Sequence, residues 1–256
     1  MEEERDRLNL KDLPLQVDIK DVDKLSNDEY IMARRNGFGA SDSSILVGVN
    51  PFQTRFDLIK SKLLQRVTEE ERKIGTLTAV KKGKDLEPLM ITKLTAFFGT
   101  KVMKPVDMYR FKDLPFLTIN YDGVLETDDG YVPAEIKIVT RAGERHYDFS
   151  RAMYRESDAL LPIVEEDEAV MEGLSPKLTI EQRAMHYGIP AYYYTQLMQE
   201  MFGLNAKYGY LAVLRDTAWE LCIFKIPFDK DTMDRIIIEG MKTWQHIETV
   251  KNTTEL

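Results

Sequence analysis

Between Asn120 and Val139 the chain spells a hairpin whose two faces can be counted from its residues. Asn120-Tyr121-Asp122-Gly123-Val124 leads through Glu126-Thr127-Asp128-Asp129-Gly130-Tyr131-Val132 to Glu135-Ile136-Lys137. Asp129-Gly130 is the pair that a two-residue hairpin loop favours, because both positions need φ > 0. Pairing Asp128 with Tyr131 across that turn sets Asp122 opposite Lys137 and Val124 opposite Glu135. Side chains alternate along a strand, so Asp122, Glu135 and Lys137 are expected on one face, the carboxylates roughly 7–8 Å apart at Cα as diagonal neighbours. Two carboxylates so placed can share one hard cation. Mg²⁺ takes oxygen ligands at about 2.1 Å and is commonly held by one or two carboxylates plus waters and phosphate oxygens. A lysine two residues from a ligand can orient or deprotonate an attacking water.

Composition narrows the setting. A chain of 256 residues suits one α/β domain, with an inserted helical segment at about 151–188, where no clean periodicity is found. There is no apolar run long enough for a membrane span and no signal-peptide pattern after Met1-Glu2-Glu3-Glu4, so a soluble, cytoplasmic protein is expected. The single cysteine, Cys222, lies in an alternating apolar stretch and reads as a small buried hydrophobe, which excludes an internal disulfide and a four-cysteine cluster. The three histidines are too scattered for a zinc site. A net charge of −8 argues against a surface coated in positive potential. Lys60, Lys62, Arg66, Arg72, Lys73, Lys81, Lys82 and Lys84 nevertheless cluster just before Glu87, as a phosphate track would.

The elements around the hairpin have their own signals. Ser26-Asn27-Asp28-Glu29 is a capping box that opens a short helix to Arg35. Ser41 or Asp42 is expected to cap a second one, whose N–H groups would seat a phosphate. Thr54 caps a helix to about Gln65 with Phe56, Ile59 and Leu63 on its stripe. A helical pattern from Leu77 to Phe98 should kink at Pro88 and stop at Gly99. Strands are expected around Lys101–Met108, Leu117–Asn120, Tyr208–Leu214 and Ala218–Pro227. A helix from Pro190 to Phe202, stopped by Gly203, and a final helix from Lys230 to Val250 complete the set. Of Tyr192, Tyr193 and Tyr194, one or two are expected in the core.

Several of these segments together resemble a known family. Arg34-Arg35-Asn36-Gly37-Phe38-Gly39-Ala40-Ser41-Asp42, with Leu46-Val47-Gly48-Val49-Asn50-Pro51-Phe52, is similar to the R-x-x-G-I-G-G-S-D … L-G-x-S-P-[YF] opening of the phage lambda exonuclease and YqaJ-type viral recombinase family. Gly83 to Pro88 resembles its G-x-x-x-E-P segment, Tyr194 to Met201 its Y-x-Q-x-x-Q-x-M helix, and Asp122 with Glu135-Ile136-Lys137 the core of the PD-(D/E)xK nuclease superfamily. Ala40 stands where the family usually has Gly, and the Cys or Thr and Pro that often follow the lysine are missing.

The resemblance implies an α/β fold with a central mixed β-sheet flanked by helices, restriction-endonuclease-like. It implies a Mg²⁺-dependent exonuclease, with Mn²⁺ as substitute, acting on double-stranded DNA ends from 5′ to 3′ and leaving 3′ tails for phage-type recombination. Asp122 and Glu135 would ligate the metal, with Glu87 contributing directly or through water. Lys137 would position the nucleophile, Gln196 would help place Lys137 or the water, and Arg34 and Ser41 would bind the 5′ phosphate. The partners it implies are a single-strand annealing protein and copies of the chain itself, in a homo-oligomeric ring with a trimer favoured. A restriction-like or structure-specific endonuclease, and a DNA-binding protein with weak or no cleavage, are the other readings.

Overall fold

The structure is a computed structural model and describes residues 6–74, 77–128, 130–158 and 177–254. In chain order its first part holds β1 (Leu15–Ile19), α1 (Asn27–Ala33), β2 (Phe38–Gly39), α2 (Ser43–Leu46), α3 (Arg55–Leu63), α4 (Glu69–Ile74) and α5 (Thr78–Phe98). Strands β3 (Val102–Met103), β4 (Met108–Phe111), β5 (Leu117–Ile119), β6 (Val124–Thr127) and β7 (Gly130–Val139) follow. The last part holds α6 (Arg141–Glu144), β8 (Tyr154–Arg155), α7 (Ile180–His186), α8 (Ala191–Leu204), β9 (Tyr208–Arg215), β10 (Glu220–Pro227) and α9 (Lys230–Thr254). Of the segment expected as an insertion, β8, a single 3₁₀ turn at Glu156–Asp158 and α7 are described, and 159–176 lies outside the described residues.

The fold is mixed α/β. One sheet runs β3-β6-β7-β9-β10-β8 and is antiparallel except where β7 and β9 lie parallel; the other runs β1-β4-β5-β2, with β2 parallel to β5. The larger sheet is buried on both faces, as strands beside a parallel pair usually are. Tyr210, Ala212 and Leu214 of β9 join Val132, Ala134 and Ile136 of β7 against Met90 and Leu94 of α5. On the opposite face Leu211 and Val213 meet Tyr194, Leu197, Met198 and Met201 of α8, which also covers Ile119 and Leu117 of the smaller sheet. Period-2 alternation therefore turns Glu135 and Lys137 toward α8, the helix that carries Gln196. Among the described residues no helix is long and apolar enough to cross a membrane.

The hairpin register differs from the one counted on the sequence. Thr127 pairs with Gly130, Leu125 with Val132 and Val124 with Pro133. The Thr127 hydroxyl bonds to the Gly130 carbonyl at 2.8 Å, and Gly130 takes φ +112°, open to glycine because it has no Cβ. Asp129 lies outside the described residues. The turn thus closes one position earlier than expected, which shifts each cross-strand partner by two, and Ala134 N–H donates to Gly123 O at 2.9 Å, which continues the register toward Asp122 and Glu135 as near neighbours. A slip of two residues leaves every side chain on its face, whereas a slip of one would have turned them all over.

Other departures have equally local causes. The Thr78–Phe98 helix runs through Pro88 without dividing, losing one backbone bond, and Gly99 ends it at φ +65°. Gly203 does not stop α8, which ends on left-handed Asn205; Gly203 instead gives room to Tyr121 and Ile119, since a Cβ there would lie 2.5 Å from the Tyr121 hydroxyl. Phe56 is exposed, and α3 buries Leu58 and Lys62 in its place. Neither Ser41 nor Asp42 caps α2 through its side chain; the Asp42 carboxylate turns back to Gly39 N–H at 3.0 Å.

Candidate active site

Arg34, Ser41, Asp122, Glu135, Lys137 and Gln196 line one open pocket of about 170 Å³ at the junction of the two sheets. Asp122 and Lys137 also form a wall of an adjoining cleft of about 750 Å³ that holds Glu87, Lys84, Lys104 and Tyr193. Asp122 sits just ahead of β6 and is fixed by the backbone N–H of Ile136, which donates to its Oδ2 at 3.2 Å. The Lys137 ammonium contacts Glu135 Oε1, lies 3.5 Å from Asp122 Oδ2, and rests 5.3 Å from the centre of the Tyr193 ring. Gln196 Nε2 reaches Glu135 Oε1 at 2.6 Å.

Glu135 is 1% exposed, and its Oε2 has no hydrogen-bond partner. Burial, with the charge of Asp122 added, pushes its carboxyl up to about 7 against the pull of Lys137. Burial works against a charged Lys137, yet Glu135 and Asp122 hold its ammonium above the ordinary lysine value. In this state Lys137 is a donor rather than a base. Glu87 is raised by burial, with Asp122 and Asp23 adding to the effect, while Lys104 opposes it from 2.7 Å.

The arginine-serine loop is built on a buried ion pair that the sequence reading assigned elsewhere. Arg34 Nη2 donates to Ser41 Oγ at 2.7 Å. Beneath them Lys62, 6% exposed, donates to the Arg34 carbonyl and to Asp42 Oδ2, both at 2.8 Å. Lys62 therefore does not belong to a surface phosphate track. Arg72 pairs with Asp28 at 2.7 Å and Lys82 with Asp216 at 2.9 Å, so the expected run of free cations is broken there too. Arg35 is buried and holds Glu71 through Nη2, at 2.7 Å from each carboxylate oxygen, with the Leu64 carbonyl on Nη1; it ties α4 down and is not among the residues that line the pocket.

Three further residues belong to the site or its support, none of which had been assigned a role from the sequence. Glu200 is 1% exposed and accepts from Gln196 at 2.9 Å; its signal was the four-residue spacing that stacks it on Gln196 along one helix face. Gln199 donates to the Phe38 and Thr118 carbonyls and accepts from Ser43, joining the two β2–β5 strands to α2. Tyr193 underlies Lys137, whereas Tyr194 is the core residue of the three, with its hydroxyl on Asp229 at 2.9 Å.

Among the described residues no three acidic, histidine or cysteine side chains gather closely enough to form a complete protein cage for a metal. The donors present are nonetheless those of a water-rich Mg²⁺ site. Asp122 and Glu135 supply two carboxylates, and the unpartnered Glu135 Oε2 is a buried acceptor that a cation would satisfy.

The architecture is that of an exonuclease fold. It superposes on crystal structures of the alkaline exonuclease LHK-Exo from Laribacter hongkongensis, covering 89% of this chain and 97% of that one: TM-score 0.57 for the complex with dAMP and 0.53 for a second structure, each at 14% identity. The model of the YqaJ-like viral recombinase domain matches residues 29–203, and the chain belongs to that family. It is also 29% identical over 102 residues to the uncharacterized protein YqaJ of Bacillus subtilis (strain 168), a match spanning 40% of this chain and 31% of that relative.

Proposed function

We propose that this chain is a metal-dependent DNA exonuclease that hydrolyses linear duplex from the 5′ end and leaves 3′ single-stranded tails. The carrying observation is the convergence of Asp122, Glu135 and Lys137 with the Arg34–Ser41 loop on one pocket. Membership of the recombinase family and the fold shared with an alkaline exonuclease support it. Asp122 and Glu135 would hold Mg²⁺ or Mn²⁺, with Glu87 reaching it from the adjoining cleft directly or through water. Bound there, the cation would acidify a coordinated water and offset charge growing on the phosphate oxygens. Lys137 donates to the nucleophile and keeps it aimed at phosphorus. Gln196 holds the Glu135 carboxylate to α8.

End-labelled linear duplex and a covalently closed circle, each with Mg²⁺ or EDTA, test the proposal. Stepwise loss from the linear ends in Mg²⁺ alone, with the circle intact, is the expected result. Nicking of the circle would make the chain an endonuclease, and binding without cleavage would make it a DNA-binding protein on this fold.

Arg34 is the proposed reader of the 5′ phosphate, because a guanidinium donates in pairs to phosphate oxygens and Ser41 holds this one in the pocket. Arg34→Ala should slow digestion of 5′-phosphorylated ends and narrow their advantage over 5′-hydroxyl ends. An unchanged ratio of the two rates would remove Arg34 from this role, and Arg35, committed to Glu71, could not replace it.

The active form is proposed to be a closed homo-oligomer, a trimer, around DNA. A net charge of −8 gives little long-range attraction for a polyanion, and enclosure keeps an enzyme on its substrate without it. Raising salt should then weaken initial binding more steeply than it shortens processive runs. Light scattering that finds a monomer, with processive digestion by that monomer, would exclude the ring.

A further inference from the structure

Gln196 serves two carboxylates at once. Its Nε2 lies 2.6 Å from Glu135 Oε1 and 2.9 Å from Oε1 of Glu200, one turn further along α8. Glu200 is 1% exposed on a stretch of helix where Leu197, Met198, Met201 and Leu204 are buried with it, and the Tyr121 hydroxyl anchors its backbone carbonyl at 3.2 Å. A carboxyl buried in such company is costly unless its oxygens are used. An amide has two N–H donors at one end and an oxygen at the other. Turned over, Gln196 would set its oxygen against two carboxylate oxygens: Glu200 Oε1 would lose its amide donor, and Glu135 Oε1 would keep only Lys137. One acceptor would bias the amide; two on the same nitrogen fix it.

We propose that Glu200 is a positioning residue of the active site, holding the Gln196 amide with its nitrogen toward Glu135. Glu135 is then tied to the helix through Oε1, and Oε2, which has no partner, is the oxygen left to ligate. The inference rests on the metal-site reading above. It requires only that Glu200 offer an acceptor at this point; its charge is not needed.

Four full-length variants separate the alternatives: E200Q, E200M, Q196M and the double E200M/Q196M. Mn²⁺ binding by calorimetry without DNA, and kcat and KM on 5′-phosphorylated duplex, are the readouts, with thermal melting to show that each variant is folded. E200M should weaken Mn²⁺ binding and lower kcat by about 10-fold, the usual scale for losing a residue that orients a ligand, with KM little changed. Q196M should match it, and the double variant should be no worse than either, because both act through one hydrogen-bonded unit. E200Q, with an amide oxygen in the same place, should recover to within about twofold of wild type. Wild-type Mn²⁺ affinity and kcat in E200M, losses that multiply in the double variant, or E200Q as impaired as E200M would each overturn the proposal. Should the wild type neither bind Mn²⁺ nor cut DNA, the metal reading fails by itself. The ¹⁵N–¹H signals of the Gln196 side-chain amide then decide the positioning role: they should be shifted and protected in wild type and E200Q and lose both features in E200M, and their persistence in E200M would contradict it.

Discussion

Glu135→Gln should abolish Mg²⁺-dependent cleavage while stabilising the metal-free protein at alkaline pH. The two effects share one cause. Glu135 is buried, and burial together with Asp122 raises its carboxyl from 4.5 to about 7. An acid whose folded value is raised takes up its proton more readily in the folded state, so its contribution to stability is full below about 4.5 and is lost as pH rises through about 7. Glutamine carries no charge to desolvate, so the melting temperature of the variant should gain on wild type as pH goes from 5 to 8. The same ionisation is needed to ligate a cation, and wild-type cleavage should therefore rise with pH through neutrality. Asp122→Asn, at the other carboxylate, should abolish cleavage equally. Full activity in either variant would sink the assignment. A stability gap that shrinks with rising pH would show that the Lys137 contact outweighs burial.

Lys137→Met should cut the cleavage rate by roughly 10²-fold or more, the scale on which a positioned proton-handling group contributes. Its other signature is opposite to that of Glu135→Gln. The Lys137 ammonium neutralises both carboxylates in the metal-free protein, so its loss should lower stability at pH 8. It should not weaken Mn²⁺ binding, since the ammonium competes with a cation for the same charge. A variant that loses rate and metal affinity together would place Lys137 among the groups that build the cation site. Single-turnover cleavage and calorimetry on one preparation distinguish the outcomes.

The strand that bears Glu135 and Lys137 was legible because the relevant period is two. A difference of two residues in the pairing register left all three chemical side chains on the face expected for them. Helix boundaries marked by Ser26, Thr54 and Gly99 were legible because each cap is a local hydrogen-bonding fact. What the sequence hid was long-range. Lys62 and Asp42 are twenty positions apart, and the one reads as part of a phosphate track and the other as a helix cap until α3 folds over the arginine loop. Glu200 carries no motif of its own, and its place beside Gln196 matters only once β7 brings Glu135 up to α8. Gly203 reads as a helix stop on local grounds, and only the approach of Tyr121 explains a glycine inside the helix.

The central claim, that Asp122 and Glu135 form a cation site beneath Lys137, is tested most directly by titrating Mn²⁺ into the DNA-free chain and into Asp122→Asn/Glu135→Gln, with melting curves to show that both are folded. The account predicts saturable binding in the wild type and its disappearance in the double variant. Undiminished binding in the folded double variant, or none in a wild type that still cuts DNA in EDTA, would contradict it.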